Sequence, residues 1–230
     1  MTNWKEIWSR ERRIPQEKPD IDFLIEMDGF NSGAGKIASQ AWLEYVEGVA
    51  ELTGLNQTKS IFEVGCGSGA FVFPFYLKGH RVGGIDYSSS LIDLAMYTMP
   101  DMDFSVQQAA DLNILEKYDL VVANSVFQYF NSYDYAEEVI LRMCEKADST
   151  VAILDLNDKR FEEEALIIRK GSLSEGEYEK KYAGLSHLFY DREFVNRVLA
   201  NRKYTVKTYD QNIENYGNNK FRYNVVIEKW

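Results

Sequence analysis

Three glycines alternate with other residues in one short segment of the sequence, residues 63–69 (Glu-Val-Gly-Cys-Gly-Ser-Gly). Because glycine has no Cβ, such a segment can turn tightly and bring its backbone close to a ligand. An aspartate, Asp86, ends the next predicted strand, where a carboxylate can accept hydrogen bonds from both hydroxyls of a ribose. A glycine loop followed by a strand and an acid therefore predicts a nucleoside-binding site.

The glycine loop is expected to lead into a helix over residues 69–78. The first N–H groups of a helix have no partner within it, so we expect free donors here for an anionic group of the ligand. The loop alone does not choose the ligand, because Gly65, Gly67 and Ala70 also satisfy the G-x-G-x-x-G/A pattern of nicotinamide-dependent dehydrogenases. More than one nucleoside cofactor stays open at this point.

Seven apolar segments have the composition of strands, and helical patterns separate most of them. Repeated strand–helix units predict a mostly parallel sheet with helices on both faces, and the last two strands are expected to be antiparallel. The predicted fold class is α/β, a Rossmann-like three-layer sandwich with a mostly parallel seven-stranded sheet and an antiparallel edge strand. The predicted strands are 61–64, 81–86, 103–107, 118–123, 150–154, 204–210 and 222–228, and the predicted core helices are 69–78, 89–97, 134–146 and 191–200.

The first 58 residues differ in pattern from the rest, and we expect them to form a helical lid over the ligand. They carry a predicted helix over 4–13 that Pro15 stops, a glycine-rich loop, and a second helix over 37–52. We expect residues 59–230 to form the core, with a cap inserted at about 157–188. The whole chain is expected to be a single domain.

Charge and composition limit the partners. The chain has 36 acidic and 26 basic residues, for a net charge of −10, which disfavours a nucleic-acid partner because such proteins carry a basic face. Two cysteines do not form a disulfide framework, no segment is long and apolar enough to cross a membrane, and we find no set of metal ligands. With no secretory leader visible, we expect a cytoplasmic protein.

Four segments of the chain resemble, in order, the motifs of class I S-adenosylmethionine-dependent methyltransferases that act on small molecules. Residues 63–69 resemble motif I, and residues 80–88 resemble the second strand with its ribose acid. Residues 107–112 resemble the segment beside the adenine, and residues 118–130 resemble motif IV. The resemblance implies a Rossmann-like fold with S-adenosylmethionine as cofactor and S-adenosylhomocysteine as its product.

The resemblance implies cofactor contacts at named positions of the first motif. Gly65, Cys66 and Gly67 would contact the methionine moiety through their backbone, while Glu63 would lie just before the turn and help to fix it. Gly69 closes the motif and is included among the cofactor-binding residues. These roles come from the likeness to the family and not from the spacing of the residues.

The remaining motifs imply the contacts to the nucleoside. Asp86 would hold the ribose, and Tyr87 would cover one face of the adenine. Gln108 stands where the family often has an acid, and its amide oxygen can accept the same hydrogen bond from the adenine amino group. Ala109 would offer its backbone N–H to the ring. Asn124 and Ser125 would lie beneath the sulfonium end.

Methyl transfer depends on positioning, which can supply up to about 7–11 kcal/mol, and it needs a base only if the nucleophile carries a proton. His187, which precedes the last predicted helix, is a candidate general base. Gln128 and Tyr129 follow the fourth strand and could orient an acceptor at the mouth of the site. Packing is the competing interpretation for each of the three.

We therefore expect transfer of a methyl group from S-adenosylmethionine to oxygen or nitrogen of a small-molecule acceptor. A non-catalytic S-adenosylmethionine-binding module is one alternative, and a nicotinamide-dependent oxidoreductase is a less favoured one. A nucleic-acid base methyltransferase is disfavoured, because residues 124–127 lack the Pro-Pro-aromatic pattern of enzymes that methylate amino groups of bases. The acceptor and the oligomeric state stay open.

Overall fold

A computed structural model describes residues 3–56 and 59–230 of the chain. The predicted boundary between lid and core falls at residue 58, and residues 57 and 58 lie outside the described ones. The seven strands are β1 (Ile61–Val64), β2 (Val82–Asp86), β3 (Asp103–Val106), β4 (Tyr118–Asn124), β5 (Ala147–Asn157), β6 (Tyr204–Asp210) and β7 (Arg222–Lys229).

The strands form one sheet in the order β3-β2-β1-β4-β5-β7-β6. Strands β1 to β5 pair in parallel, whereas β7 is antiparallel to both β5 and β6. The predicted fold class is therefore confirmed, with the antiparallel strand lying one position in from the edge. Because β7 runs against β5, its first residue, Arg222, pairs with Asn157 at the end where β5 finishes. Below, that side of the sheet is called the carboxyl end.

Helices cover both faces of this sheet, which gives the three layers. The α-helices of the described residues are α1 (Trp4–Trp8), α2 (Ile21–Met27), α3 (Ser39–Leu52), α4 (Phe73–Leu77), α5 (Ser89–Thr98), α6 (Tyr133–Lys146), α7 (Glu162–Lys170), α8 (Glu175–Tyr182) and α9 (Phe194–Val198). In the part of the chain that the structure describes, no helix is long and apolar enough to span a bilayer.

Alternation along β1 decides which side chains reach the site. Successive side chains of a strand point to opposite faces of the sheet. Ile61 packs in the buried cluster on the α3 face, while Phe62 and Val64 pack in the cluster on the α6 face. Glu63 therefore points to the same face as Ile61, where it is buried with only 3% of its surface exposed. A carboxylate is thus held inside the molecule at the carboxyl end of the sheet.

Three predicted helices are much shorter in the structure, and the one predicted over 191–200 spans only Phe194–Val198. The helix predicted over 4–13 ends at Trp8, because tertiary contacts take up the following backbone: Ser90 donates to the carbonyl of Arg10 at 2.8 Å. The helix predicted over 69–78 begins only at Phe73, since Gly69 has a left-handed φ of +89° that no helix admits. The first turns of that segment belong to the glycine loop instead.

Three helices, α2, α7 and α8, were not predicted, and α2 is the one that leads to the site. Asp20 caps it by accepting a hydrogen bond from the backbone N–H of Phe23 at 2.9 Å, and it buries Leu24 and Ile25. The chain leaves this helix at Asp28, which thereby lies against the glycine loop. In the sequence, an acid followed three residues later by an apolar pair is the pattern that indicates the start of this helix.

The segment expected to form a cap, 157–188, contains α7 and α8. Helix α8 begins with a capping box, in which Ser174 and Glu177 each accept a hydrogen bond from the other's backbone. No side chain of α7 or α8 is buried. The division into lid, core and cap stays a prediction.

Candidate functional site

A cavity of about 390 Å³ lies at the carboxyl end of the sheet, in the range of small-molecule sites. Its walls come from the loops that follow β1 to β4, from the start of β7, and from the N-terminal segment. Most of the predicted site residues line it, namely Glu63, Gly65, Cys66, Gly67, Asp86, Tyr87, Gln108, Ala109, Asn124, Ser125 and Tyr129. Three predicted residues do not line it: Gly69, Gln128 and His187.

The glycine loop needs its glycines. Gly65, Gly67 and Gly69 have φ values of +74°, +53° and +89°, which L side chains rarely adopt. A Cβ on Gly65 would lie 2.5 Å from Val126, and a Cβ on Gly67 would collide with the carboxylate of Asp28. On Gly69 the Cβ would instead meet the buried Met99, so this glycine faces the core, which explains its absence from the cavity wall.

Backbone donors in the first half of the loop are used within the protein. The N–H groups of Gly65 and Cys66 both donate to the carbonyl of Ile85, at 2.7 and 2.9 Å. The N–H of Gly67 donates to Oδ2 of Asp86 at 3.1 Å. These bonds tie the loop to β2.

Asp28 takes the donors of the second half. Its carboxylate accepts from the N–H of Ser68 at 2.7 Å and from that of Ala70 at 3.2 Å, while Gly69 donates to Cys66 at 2.8 Å. Every N–H from Gly65 to Ala70 therefore has an acceptor. The expectation of free donors for an anionic group is wrong, because a side chain from another helix end occupies them.

Three carboxylates thus line the cavity around the loop: Asp28, Glu63 and Asp86. Burial raises the pKa of Asp28 to about 7, and it raises the pKa of Glu63 and of Asp86 above their ordinary ranges. Glu63 Oε2 is buried and has no hydrogen-bond partner among the described residues. The cavity therefore favours a ligand with positive charge and N–H or O–H donors.

The three carboxylates do not form a metal centre. Within residues 3–56 and 59–230, no three His, Cys, Asp or Glu side chains come together in a way that could hold a metal ion. A cationic organic group suits the site better, because it offers donors to several oxygens without a fixed coordination geometry.

The floor of the cavity follows β4. Asn124 is buried, and Tyr45 donates to its Oδ1 at 2.9 Å, which fixes the amide. Ser125 has a left-handed φ of +58° and donates from its hydroxyl to Asp155 Oδ2 at 2.7 Å. Asp155 also has a φ of +58° and sits at an irregularity in the pairing of β5 with β7. Such backbone conformations collect at functional sites.

Two of the candidate catalytic residues lie behind the cavity wall. The Nε2 of Gln128 donates to the carbonyl and the hydroxyl of Ser125, both at 2.8 Å, so the 3-10 turn that carries Gln128 directs its side chain inward. His187 stacks on Trp4 with ring centres 4.7 Å apart and meets the edge of Tyr129. Burial, aided by the charges of Arg169 and Arg222, lowers the pKa of His187 to about 3. That imidazole is a weak proton acceptor, and only Tyr129 of the three faces the cavity.

Several lining residues were missed by the sequence analysis. Asp28 follows an unpredicted helix, and Trp4 and Trp8 lie one helical turn apart, a spacing that the sequence does show. Tyr216 and Arg222 come from the loop before β7 and from its first residue. Nothing in their local sequence marks them, because their position depends on the register of an antiparallel strand.

The sequence matches a known domain family over part of its length. Residues 61–147 match the family described as "Methyltransferase domain". A malonyl-[acyl-carrier protein] O-methyltransferase of Priestia megaterium is 33% identical over 81 residues, which cover 34% of this chain and 30% of that protein. The chain matches less than a third of the length of the first curated relatives, 27% and 30%. The matched part carries the glycine loop, Asp86 and the floor residues.

Solved structures resemble almost the whole chain. Magnesium protoporphyrin IX methyltransferase from Synechocystis, crystallised with S-adenosylmethionine, has a TM-score of 0.60 at 16% identity and is covered to 96%, against 90% of this chain. A S-adenosylmethionine-dependent methyltransferase from Clostridium acetobutylicum has a TM-score of 0.62 at 11% identity, covering 87% of this chain and 95% of that one. At these identities the likeness concerns the fold.

Proposed function

We propose that this chain, whose residues 61–147 form a methyltransferase domain and whose sheet has the class I Rossmann-like order, is an S-adenosylmethionine-dependent methyltransferase. Its acceptor is a small molecule that is methylated on oxygen or nitrogen. The observation that carries the proposal is the set of three carboxylates around a glycine loop whose N–H groups are all in use. That arrangement receives a cation.

Charge decides between the two nucleoside cofactors. The pyrophosphate of a nicotinamide dinucleotide binds through free backbone N–H groups at the start of a helix. Here Asp28 occupies the N–H groups of Ser68 and Ala70 with a carboxylate, which repels a phosphate. S-adenosylmethionine instead brings an ammonium and a sulfonium to a wall of carboxylates. The same features argue against the oxidoreductase alternative.

The residues of the cavity fit this nucleoside. Asp86 would hold the ribose, while Glu63 and the carbonyls of residues 65–67 would accept from the methionine ammonium. Tyr87, Gln108 and Ala109 would enclose the adenine. When bound, the cofactor supplies a methyl group on a positively charged sulfur.

The protein's own part is to orient and to exclude water. Asn124 and Ser125 are held by Tyr45 and Asp155, so the floor beneath the reacting groups is fixed before any ligand binds. Burial raises the pKa of Tyr129 above its ordinary value, so its hydroxyl stays protonated. It can therefore donate a hydrogen bond to the methyl-accepting molecule. The cavity volume of about 390 Å³ lies in the range of small-molecule sites.

The N-terminal segment forms the roof in this proposal. Trp4, Trp8 and Phe30 line the cavity, and Trp4 Nε1 donates to the carbonyl of Ser186 at 2.7 Å, in the segment that follows α8. In this proposal, that bond joins the lid to the cap over the site. We propose that they separate for the ligands to enter and leave.

Calorimetric titration of the purified chain with three ligands tests the proposed function. We expect S-adenosylmethionine and S-adenosylhomocysteine to bind, and NAD to show no heat of binding at the same concentration. Formation of S-adenosylhomocysteine in the presence of a small-molecule extract then separates an enzyme from a non-catalytic binding module. Binding of NAD in preference to the sulfonium nucleoside would overturn the proposal.

A further inference from the structure

Arg222 places an unexpected positive charge in the cavity wall. It is the first residue of β7 and lines the cavity, with 12% of its side chain exposed. Its Nε and Nη1 are buried and have no hydrogen-bond acceptor among the described residues. A buried donor without an acceptor costs stability, and it costs more when the group is charged. Such a group calls for an acceptor that arrives with a ligand.

Asp155 supplies charge to Arg222 but no hydrogen bond. The Nε of Arg222 lies 3.7 Å from Asp155 Oδ1, which is beyond hydrogen-bond distance. Neutral donors occupy the Asp155 carboxylate instead, at 2.7 to 3.2 Å, from the side chains of Ser125, Tyr216 and Gln211. Burial alone would lower the pKa of Arg222, but the charge of Asp155 together with Tyr216 and Tyr129 outweighs this effect and the pKa is raised. The guanidinium therefore stays charged.

The strand order puts Arg222 away from the cofactor residues. Going from β1, which carries the glycine loop, to β7 crosses β4 and β5. Neighbouring strands lie about 4.8 Å apart, so β1 and β7 are separated by about 14 Å. Strand β2, which carries Asp86, is about 19 Å from β7. Ser125 and Asp155 lie between the two groups. Arg222 thus belongs to the part of the cavity that the acceptor would occupy.

We propose that Arg222 is the binding group for a carboxylate of the acceptor, so that the methyl acceptor of this protein is a small organic acid. This inference rests on the proposed function, since it takes the other half of the cavity to be the cofactor site. A guanidinium group can form two parallel hydrogen bonds to a carboxylate. Such a pair would give the buried N–H donors of Arg222 an acceptor and neutralise its charge. A neutral methyl acceptor of the same shape would leave the Arg222 guanidinium without a charged hydrogen-bond partner. The site therefore discriminates against neutral molecules.

Matched ligands test the proposal on the wild-type chain. Protein saturated with S-adenosylhomocysteine is titrated calorimetrically with phenylacetate and, separately, with phenylacetamide, which has the same shape and no charge. We expect the carboxylate to bind at least about tenfold more tightly than the amide. Equal affinities, or a preference for the amide, would overturn the proposal.

Variants of Arg222 assign the preference to this residue. Arg222→Gln should abolish the preference for phenylacetate, and Arg222→Lys should retain part of it, because lysine keeps the charge and loses the fork. Arg197→Gln is the control, since Arg197 is an exposed arginine that also pairs with an aspartate, Asp191. If Arg222→Gln does not fold, by circular dichroism and thermal unfolding, the double variant Arg222→Gln/Asp155→Asn removes both charges together. A carboxylate preference that survives in a folded variant would contradict the proposal.

A further measurement separates the acceptor from the cofactor's own carboxylate. Methylthioadenosine lacks the amino-acid part of S-adenosylhomocysteine, so its affinity reports the nucleoside contacts alone. We expect Arg222→Gln to leave the affinities for both nucleosides within about twofold of wild type. Loss of affinity for S-adenosylhomocysteine alone would show that Arg222 holds the methionine carboxylate, and the proposal would fall while the proposed function stood. If wild type binds neither nucleoside, the proposed function itself fails.

Discussion

The two halves of the cavity are built by different means. In the cofactor half, backbone groups fix the shape: the N–H groups of residues 65–70 all bond within the protein, and glycine conformations set the turn. In the acceptor half, side chains do so, with Asp155 collecting three neutral donors beside Arg222. The first half lies largely in the stretch that matches the methyltransferase domain, and the second lies mostly outside it. From this division we expect the cofactor to be common to chains that match the domain, and the acceptor to be particular to this chain.

The ribose carboxylate should show the largest effect. Asp86→Ala removes the proposed acceptor for the ribose hydroxyls and the partner of the Gly67 N–H, so we expect S-adenosylhomocysteine to bind about a hundredfold more weakly. Calorimetry measures the change. Asp148→Ala, at an exposed position where β5 begins, is the control and should leave the affinity unchanged. Equal affinities of the two variants would remove Asp86 from the cofactor half.

A backbone change in the same half should cost stability. Gly67→Ala forces a side chain into a left-handed conformation and against Asp28, and we expect the free energy of unfolding in urea to fall by about 2–3 kcal/mol. Gly176→Ala is the matched control, because Gly176 lies within α8 with open space around its Cα, and there alanine should stabilise by up to about 1 kcal/mol. A neutral effect at Gly67 would show that the loop is not fixed by its backbone.

The pH dependence of stability should report on Asp28. Its pKa is about 7 in the fold and close to the ordinary aspartate value of 3.8 in the unfolded chain, so the unfolded state loses the proton first as pH rises. The contribution of this group to stability is full below about pH 4 and declines until about pH 7. We expect Asp28→Asn to stabilise the ligand-free protein by about 1–2 kcal/mol more at about pH 8 than at about pH 5, in urea unfolding. The same difference at both pH values would contradict a raised pKa.

A hydroxyl in the acceptor half should have the smallest effect. Tyr216→Phe removes one donor from Asp155, and we expect a loss of about 1 kcal/mol in the free energy of unfolding with no change in affinity for S-adenosylhomocysteine. Tyr97→Phe serves as control, because that hydroxyl donates to a carbonyl at the exposed surface. A weaker cofactor affinity in Tyr216→Phe would show that the halves are energetically coupled.

The sequence allowed the glycine loop and Asp86 to be predicted because their signals are local, while their contact with the cofactor stays a prediction. The bounds of β1 and β6 match the prediction to the residue, since apolar residues surround Glu63 in β1 and β-branched or aromatic residues dominate β6. The glycine loop and Asp86 stand where the motifs put them, and both line the cavity. Local signals failed where a tertiary contact replaced a helical bond, as after Trp8, or where a side chain came from another element, as with Asp28.

The acceptor half could not be predicted for a different reason. Whether Arg222 reaches the cavity depends on how β7 is aligned with β5, and no neighbouring residue records that alignment. A shift of one residue would turn the side chain to the other face of the sheet. His187 and Gln128 were chosen by chemical type, and packing against Trp4 and Ser125 decided their orientation.

Strand β7 enters the sheet at the carboxyl end, where the cavity lies. The segment 211–221 therefore contributes residues to the cavity wall before the strand begins. Each parallel strand reaches the cavity only at its carboxyl end. A change in the loop that follows such a strand must therefore preserve the strand itself. The segment 211–221 bonds to Asp155 through Gln211 and Tyr216. Under the proposed function, a change in this segment would alter the acceptor of this chain and leave its methyl donor the same.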